Sequence, residues 1–198
     1  MTALEMRAAR TDELALVEGL LAGATAWLAS RGSDQWQFPP RRERLLDSMS
    51  RDECFLAWLD DQAVGTVTVD EQADPEFWQP GDEPSTALYV HRMAIARDMA
   101  GLAVGARMLD WAADRAVALG KSRLRLDAWK TNPALHQYYL GQGFALVRIV
   151  DLPHRQSGAL FERKAGGWVG LSASRPEANT VISRTKPQAL RSERTWNI

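Results

Sequence analysis

Residues 86–109 read TALYVHRMAIARDMAGLAVGARML. Thr86 to Ala96 reads as a strand, ending at Met93-Ala94-Ile95-Ala96. A turn of small residues follows, Ala100-Gly101-Leu102-Ala103-Val104-Gly105. Val104, Met108, Trp111, Ala112 and Leu119 then fall at helical spacing until Gly120 stops the helix. Small residues at a helix start let backbone approach a ligand closely. The free N–H groups and the positive end of the helix dipole suit a phosphate or pyrophosphate. The same turn also serves as a close strand-to-helix packing with no ligand. No Gly-Lys-Ser/Thr follows it, so it is not a nucleotide P-loop, and Gly-x-Gly-x-x-Gly is absent.

On the N-terminal side, Leu4 to Arg7 alternates as a short strand. Thr11 or Asp12 can cap the next helix, whose stripe is Leu14, Val17, Leu21 and Leu28. Pro39-Pro40 opens a second helix, Arg41 to Met49. Cys54–Leu59 and Val64–Val69 read as a hairpin around Asp60-Asp61. Asp70 to Ser85 is a long polar loop whose Phe77 and Trp78 suggest a lid or a substrate wall, or an anchor to the core. On the C-terminal side come a strand, Leu124 to Trp129, and a short helix from Asn132-Pro133 to Gly143. Two strands follow, Phe144–Val150 and Leu160–Arg163. This is a mixed α/β domain over residues 1–164. Residues 165–198 carry five Lys or Arg against two Glu and lack periodicity, which reads as a mobile tail. The alternative is a docked segment, since Trp168, Val169 and Leu171 form a small apolar cluster.

The chain has 198 residues, 45% hydrophobic and 25% charged, with a net charge of −1. That suits one globular core and gives no support to a nucleic-acid partner. No apolar run reaches the roughly 18 residues of a membrane span, and Met1 to Arg10 lacks a signal-peptide core. A cytoplasmic protein without a membrane partner is the expectation. One cysteine, Cys54, excludes an internal disulfide, and three scattered histidines with no Glu or Cys spacing suggest no metal.

The helix from Asn132 carries Asn132-Pro133-Ala134-Leu135 and then Tyr139-Leu140-Gly141-Gln142-Gly143-Phe144. With the turn at Ala100–Gly105 some 30 residues earlier, the chain here resembles the GNAT superfamily of N-acetyltransferases. That family's phosphate signature is Arg or Gln, two residues, Gly, one residue, then Gly or Ala, and its helix signature is Asn…Ala…Tyr-x-x-x-Gly-Phe. The resemblance covers about residues 4–164. Ala100 stands where Arg or Gln is usual, and Ala103 where the first glycine is expected. The resemblance implies a mostly antiparallel mixed sheet with a splayed strand pair, flanked by helices. It implies acetyl-CoA as co-substrate and direct acetyl transfer to a primary amine in a ternary complex.

The implied coenzyme site is Met93, Ala94 and Ile95 on the strand, Ala100 to Ala106 at the turn (Ala100, Gly101, Leu102, Ala103, Val104, Gly105, Ala106), Asn132 and Tyr139. Arg97 and Arg107 are nearby charges. Asn132 also fits a plain helix cap. The leaving thiolate needs a proton, and the resemblance gives that role to Tyr139, which also fits a core aromatic. Attack needs a neutral amine, hence a base. Period-two alternation puts Tyr89, His91, Met93 and Ile95 on one side of the strand. That makes His91 a candidate base, since histidine titrates near neutrality. Asp127 is a second candidate, or an anchor for a cation, or a salt-bridge partner of Arg92 or Arg125; Glu83 is a third. For the acceptor, Asp34, Trp36, Phe38, Phe77, Trp78, Tyr89 and Trp129 supply aromatic walls and an acid suited to an amine cation. A small-molecule amine or a protein amine fits, and a homodimer is compatible. The rival readings are a non-catalytic acyl-CoA-binding module and an interaction module.

Overall fold

The structure is a computed structural model that describes residues 3–37 and 40–166. Phe38 and the expected tail from residue 167 onward lie outside the described residues. Seven strands form one sheet: β1 (Leu4–Ala8), β2 (Cys54–Leu59), β3 (Gln62–Asp70), β4 (Ala87–Ile95), β5 (Arg123–Trp129), β6 (Ala145–Ile149) and β7 (Ser157–Lys164). Their order is β1-β2-β3-β4-β5-β7-β6. Every neighbouring pair is antiparallel except β4 and β5. The attachment of β7 runs just past residue 164, since Ala165 and Gly166 donate backbone N–H to Ser122 and Ala113.

Four helices cover the sheet: α1 (Leu14–Ser30), α2 (Arg42–Ser50), α3 (Val104–Ala118) and α4 (Pro133–Gly141). The stripe Leu14, Val17, Leu21 of α1 packs with Leu45 and Met49 of α2 against Cys54, Leu56 and Ala94. Thr11–Ser30 is apolar and long enough to cross a membrane by length and composition alone. Here its apolar stripe is core, and Glu18 on it pairs with Arg42. On the other sheet face, Val104, Met108, Leu109 and Ala112 of α3 pack with Leu135 and Tyr139 of α4 against Val67, Leu88, Val90 and Leu126. Gly120, at φ +70, ends α3 in the left-handed turn that glycine adopts without strain.

Two features of β4 position the site. Its parallel pairing with β5 stops at Val90–Leu126, although β4 continues to Ile95 and β5 to Trp129. The strands part beyond that point. Against β3, Thr68 faces His91 but Thr66 faces Ala94, so β4 carries one extra residue, and Arg92 sits at φ +49. This is a β-bulge. It reverses the phase of the strand. Leu88 and Val90 before it, and Met93 and Ile95 after it, all lie on the α3 face. His91 therefore does not share a side with Met93 and Ile95, contrary to the alternation rule.

The long loop is also corrected. Phe77 and Trp78 are 1% and 4% exposed and pack with Tyr89 and Leu160. Arginines from distant strands and turns hold them there. Arg125 lies 4.5 Å from the Trp78 ring, and Arg155 4.5 Å from the Phe77 ring. Arg148 donates to Phe77 O at 2.7 Å and pairs with Asp82, holding that carboxyl below the usual carboxylate range. The segment is a wall of the core and not a lid.

Candidate active site

Three contiguous cavities follow the parting of β4 and β5. The first, about 300 Å³, sits against the turn before α3. The second, about 600 Å³, lies under the C-terminal end of α1. The third, about 570 Å³, lies between α1, α2 and β5. Ile95 and Arg97 line both the first and the second. Gln35, Trp36, Met93 and Leu135 line both the second and the third.

The first cavity is built to meet an anion. No described residue accepts from the N–H groups of Ala103, Val104, Gly105 and Ala106. These are the orphan donors of a helix start, and all four residues line the cavity. Ala103 takes φ +56, the left-handed conformation expected of the glycine it replaces. An alanine there costs about 1 kcal/mol and keeps the loop shape. Gly105 needs its missing side chain. A Cβ there would lie 2.5 Å from Tyr138 Oη and 2.7 Å from Ile95 Cδ1. Arg97 stacks 3.8 Å over the Trp27 ring beside this cavity, a partner that sequence reading missed. Ala100 and Gly101 line the cavity too. Leu102 is exposed and Ala94 is buried toward α1 and α2, so neither side chain does.

The second cavity runs along an open strand edge. Ala96 N–H donates to Val64 O at 2.9 Å, toward β3. By alternation the backbone groups of Ile95 and Met93 face the other edge, where β5 has withdrawn. Asn132 does two things. Its Oδ1 accepts from Leu135 N–H as the α4 cap, and its Nδ2 donates to Gln35 Oε1, both at 3.0 Å. Asp34 accepts from Trp129 Nε1 at 2.8 Å. These two bonds tie the segment after α1 across the parted strands. They also correct the expectation for Asp34. Its carboxylate holds Trp129 and lines the second cavity, not the third.

The third cavity gathers Tyr139, His91, Asp127, Trp129 and Trp36. Tyr139 is packed by Phe144, Phe161 and Tyr138. Its hydroxyl has no hydrogen bond among the described residues. Burial pushes its pKa well above the ordinary phenol value, and Tyr138 and Asp127 add to the rise. His91 Nε2 lies 3.3 Å from Asp70 Oδ1, on the β3 strand beside it. Asp127 pairs with neither Arg92 nor Arg125. Arg125 pairs with Glu162 and Arg92 hydrogen-bonds Thr68. Trp78 and Tyr89 do not line this cavity; Tyr89 Oη donates to Pro84 O at 3.0 Å and accepts from Arg125. Glu83 is on an exposed turn. Sequence reading missed Arg41, Arg44, Arg92 and Arg155, which all line it. Arg92 entered the sequence reading only as a possible salt-bridge partner of Asp127, and a flat strand would have turned it away from His91.

Comparison with known proteins places the fold and the family. The model of the acetyltransferase (GNAT) family matches residues 21–144. An uncharacterized N-acetyltransferase, YesJ, of Bacillus subtilis is 32% identical over 138 residues, covering 66% of this chain and 76% of that protein. A GNAT-family acetyltransferase structure from Listeria monocytogenes superposes with a TM-score of 0.68 at 18% identity, over 81% of this chain and 94% of that one. The PaiA N-acetyltransferase of Thermoplasma acidophilum, solved with coenzyme A, gives 0.61 at 17% identity, over 82% and 99%. The chain belongs to the GNAT family of acetyltransferases.

Proposed function

We propose that the protein moves the acetyl group of acetyl-CoA to a primary amine by direct attack, with both substrates bound together. The observation that carries this is the shared wall of the second and third cavities at Met93 and Leu135, where β4 and β5 part. A thiol ester laid along one side of it meets an amine entering from the other. Coenzyme A bound to the Thermoplasma relative supports the donor.

Acetyl-CoA supplies an activated thioester. The N–H groups of Ala103 to Ala106 hold its pyrophosphate, with Arg97 beside them. The open edge of Met93 and Ile95 hydrogen-bonds the pantetheine amides and orients the acetyl carbonyl. His91, held by Asp70, accepts the amine proton directly or through water, and Asp127 holds the amine in place. Tyr139 keeps its proton because its pKa is raised, and gives it to the departing sulfur. A phenol that weak donates only as the thiolate forms beside it. The same burial makes that thiolate more basic, which favours the transfer.

The test is titration of acetyl-CoA and coenzyme A into the full chain, followed by thiol release with an amine panel. Micromolar binding and thiol release are expected; absence of binding overturns the reading. His91→Ala is expected to lower kcat by about 10²-fold. A kcat within a few-fold of the original moves the base to Asp127 or water.

A further inference from the structure

The electrostatics of the third cavity differ from those of a site made for a plain amine cation. Four arginines line it, against one carboxylate, Asp127. Arg155 is already committed to Asp74 and Glu76 at 2.7 and 3.0 Å. Arg92, Arg44 and Arg41 have no carboxylate partner among the described residues. The contrast along α2 is sharp. Arg42 pairs with Glu18 at 2.9 Å, and Arg51, just past the helix, pairs with Asp47 and Glu53. Arg41 and Arg44, which line the cavity at the start of α2, have no such pair among the described residues.

Arg92 is the deepest of them. Its one hydrogen bond goes to an uncharged group, Thr68 Oγ1, at 3.1 Å. Burial lowers its pKa; the nearby Asp70 charge opposes that fall and the Arg44 charge adds to it. Arg92 is half-buried beside the exposed Arg44 with no carboxylate bonded to it, and a guanidinium charge held that way is costly. An incoming oxyanion would remove that cost, and the planar guanidinium fork suits carboxylates and phosphates.

We propose that the acceptor is an amine that also carries a small oxyanion, a carboxylate or a phosphate, seated on Arg92 and Arg44. The proposal rests on the acetyl-transfer reading above. The oxyanion end lies against α2 and the β4 bulge, and the amine end lies toward Asp127, His91 and Tyr139. An amino-acid-like acceptor satisfies both ends, whereas a polyamine meets two unpaired arginines.

Two measurements decide it. First, N-acetylglycine and inorganic phosphate are titrated into the full chain, alone and with coenzyme A present. At least one is expected to bind, and Arg92→Gln and Arg44→Gln are each expected to weaken it about tenfold or more. Glutamine keeps a donor at 92, and Arg44 is exposed, so the melting temperature serves as the folding control. Binding of neither probe, or binding that neither substitution changes, overturns the proposal. Second, thiol release is compared for glycine against glycinamide and for phosphoethanolamine against ethanolamine. The acidic member of one pair is expected to show at least about tenfold higher kcat/KM, lost in Arg92→Gln through KM. The better pair tells carboxylate from phosphate. Neutral members used equally well overturn the oxyanion seat while acetyl transfer stands. Failure of coenzyme A to bind overturns acetyl transfer, and the first measurement still judges the seat.

Discussion

Tyr139→Phe is expected to lower kcat by about 10²–10³-fold, with acetyl-CoA affinity and melting temperature unchanged. The substitution removes only a hydroxyl that bonds to nothing among the described residues, and it leaves the ring between Phe144 and Phe161. Fold and donor binding therefore have little to lose. In the proposed mechanism, the step that needs a proton on sulfur loses its donor. The raised pKa also fixes a sign. A phenol above its ordinary value stays protonated through the neutral range, so a basic limb below about pH 10 does not belong to Tyr139. Measured kcat and an isotope effect on solvent protons check this. A kcat within a few-fold of the original would hand protonation to water.

Gly105→Val is expected to weaken acetyl-CoA binding by about 10²-fold and to cost about 1–3 kcal/mol of stability. The crowding does not come from the ligand side alone. A Cβ meets Tyr138 Oη, Ile95 Cδ1 and Met93 Cε at 2.5, 2.7 and 3.3 Å. Those three side chains line the first and second cavities or the wall shared with the third. Tyr138 packs edge-on against Tyr139 at 5.4 Å, so the disturbance also reaches the proposed proton donor. The smaller Gly105→Ala is expected to lose less, and Tyr138→Phe in the same chain to recover part of that loss by removing the closest atom. Calorimetry and thermal melts check both. Unchanged coenzyme affinity in Gly105→Val would remove the phosphate cradle from the turn before α3.

The fold was largely legible because its signals are local. The spacing of Leu14, Val17, Leu21 and Leu28 gave α1, and all four are buried. Strand β2 has the expected bounds, Cys54–Leu59. The turn and the α4 motif lie where the family resemblance put them. What escaped the sequence depends on distant partners. Phe77 and Trp78 looked exposed in a polar loop because the arginines that bury them, Arg125, Arg148 and Arg155, come from β5, β6 and the turn before β7. Asp34 looked like a cation anchor because nothing local shows that Trp129 takes its oxygen. The arginines of the third cavity were scattered along the chain among ordinary surface charges. The bulge left no mark, since Arg92 is an unremarkable residue for a strand and its left-handed φ is imposed by the register of β3.

That bulge changes how substitutions in β4 combine. In a flat strand, neighbours in sequence belong to opposite faces, and their effects on one ligand add. Here His91 and Arg92 are adjacent in sequence and line the same chamber. Their substitutions will be coupled, so scanning them singly measures each against a background the other has set. A combinatorial library that varies every second position of the strand would pass over one of these two residues of the proposed acceptor chamber. The useful unit for retargeting this enzyme is the dipeptide 91–92, varied together.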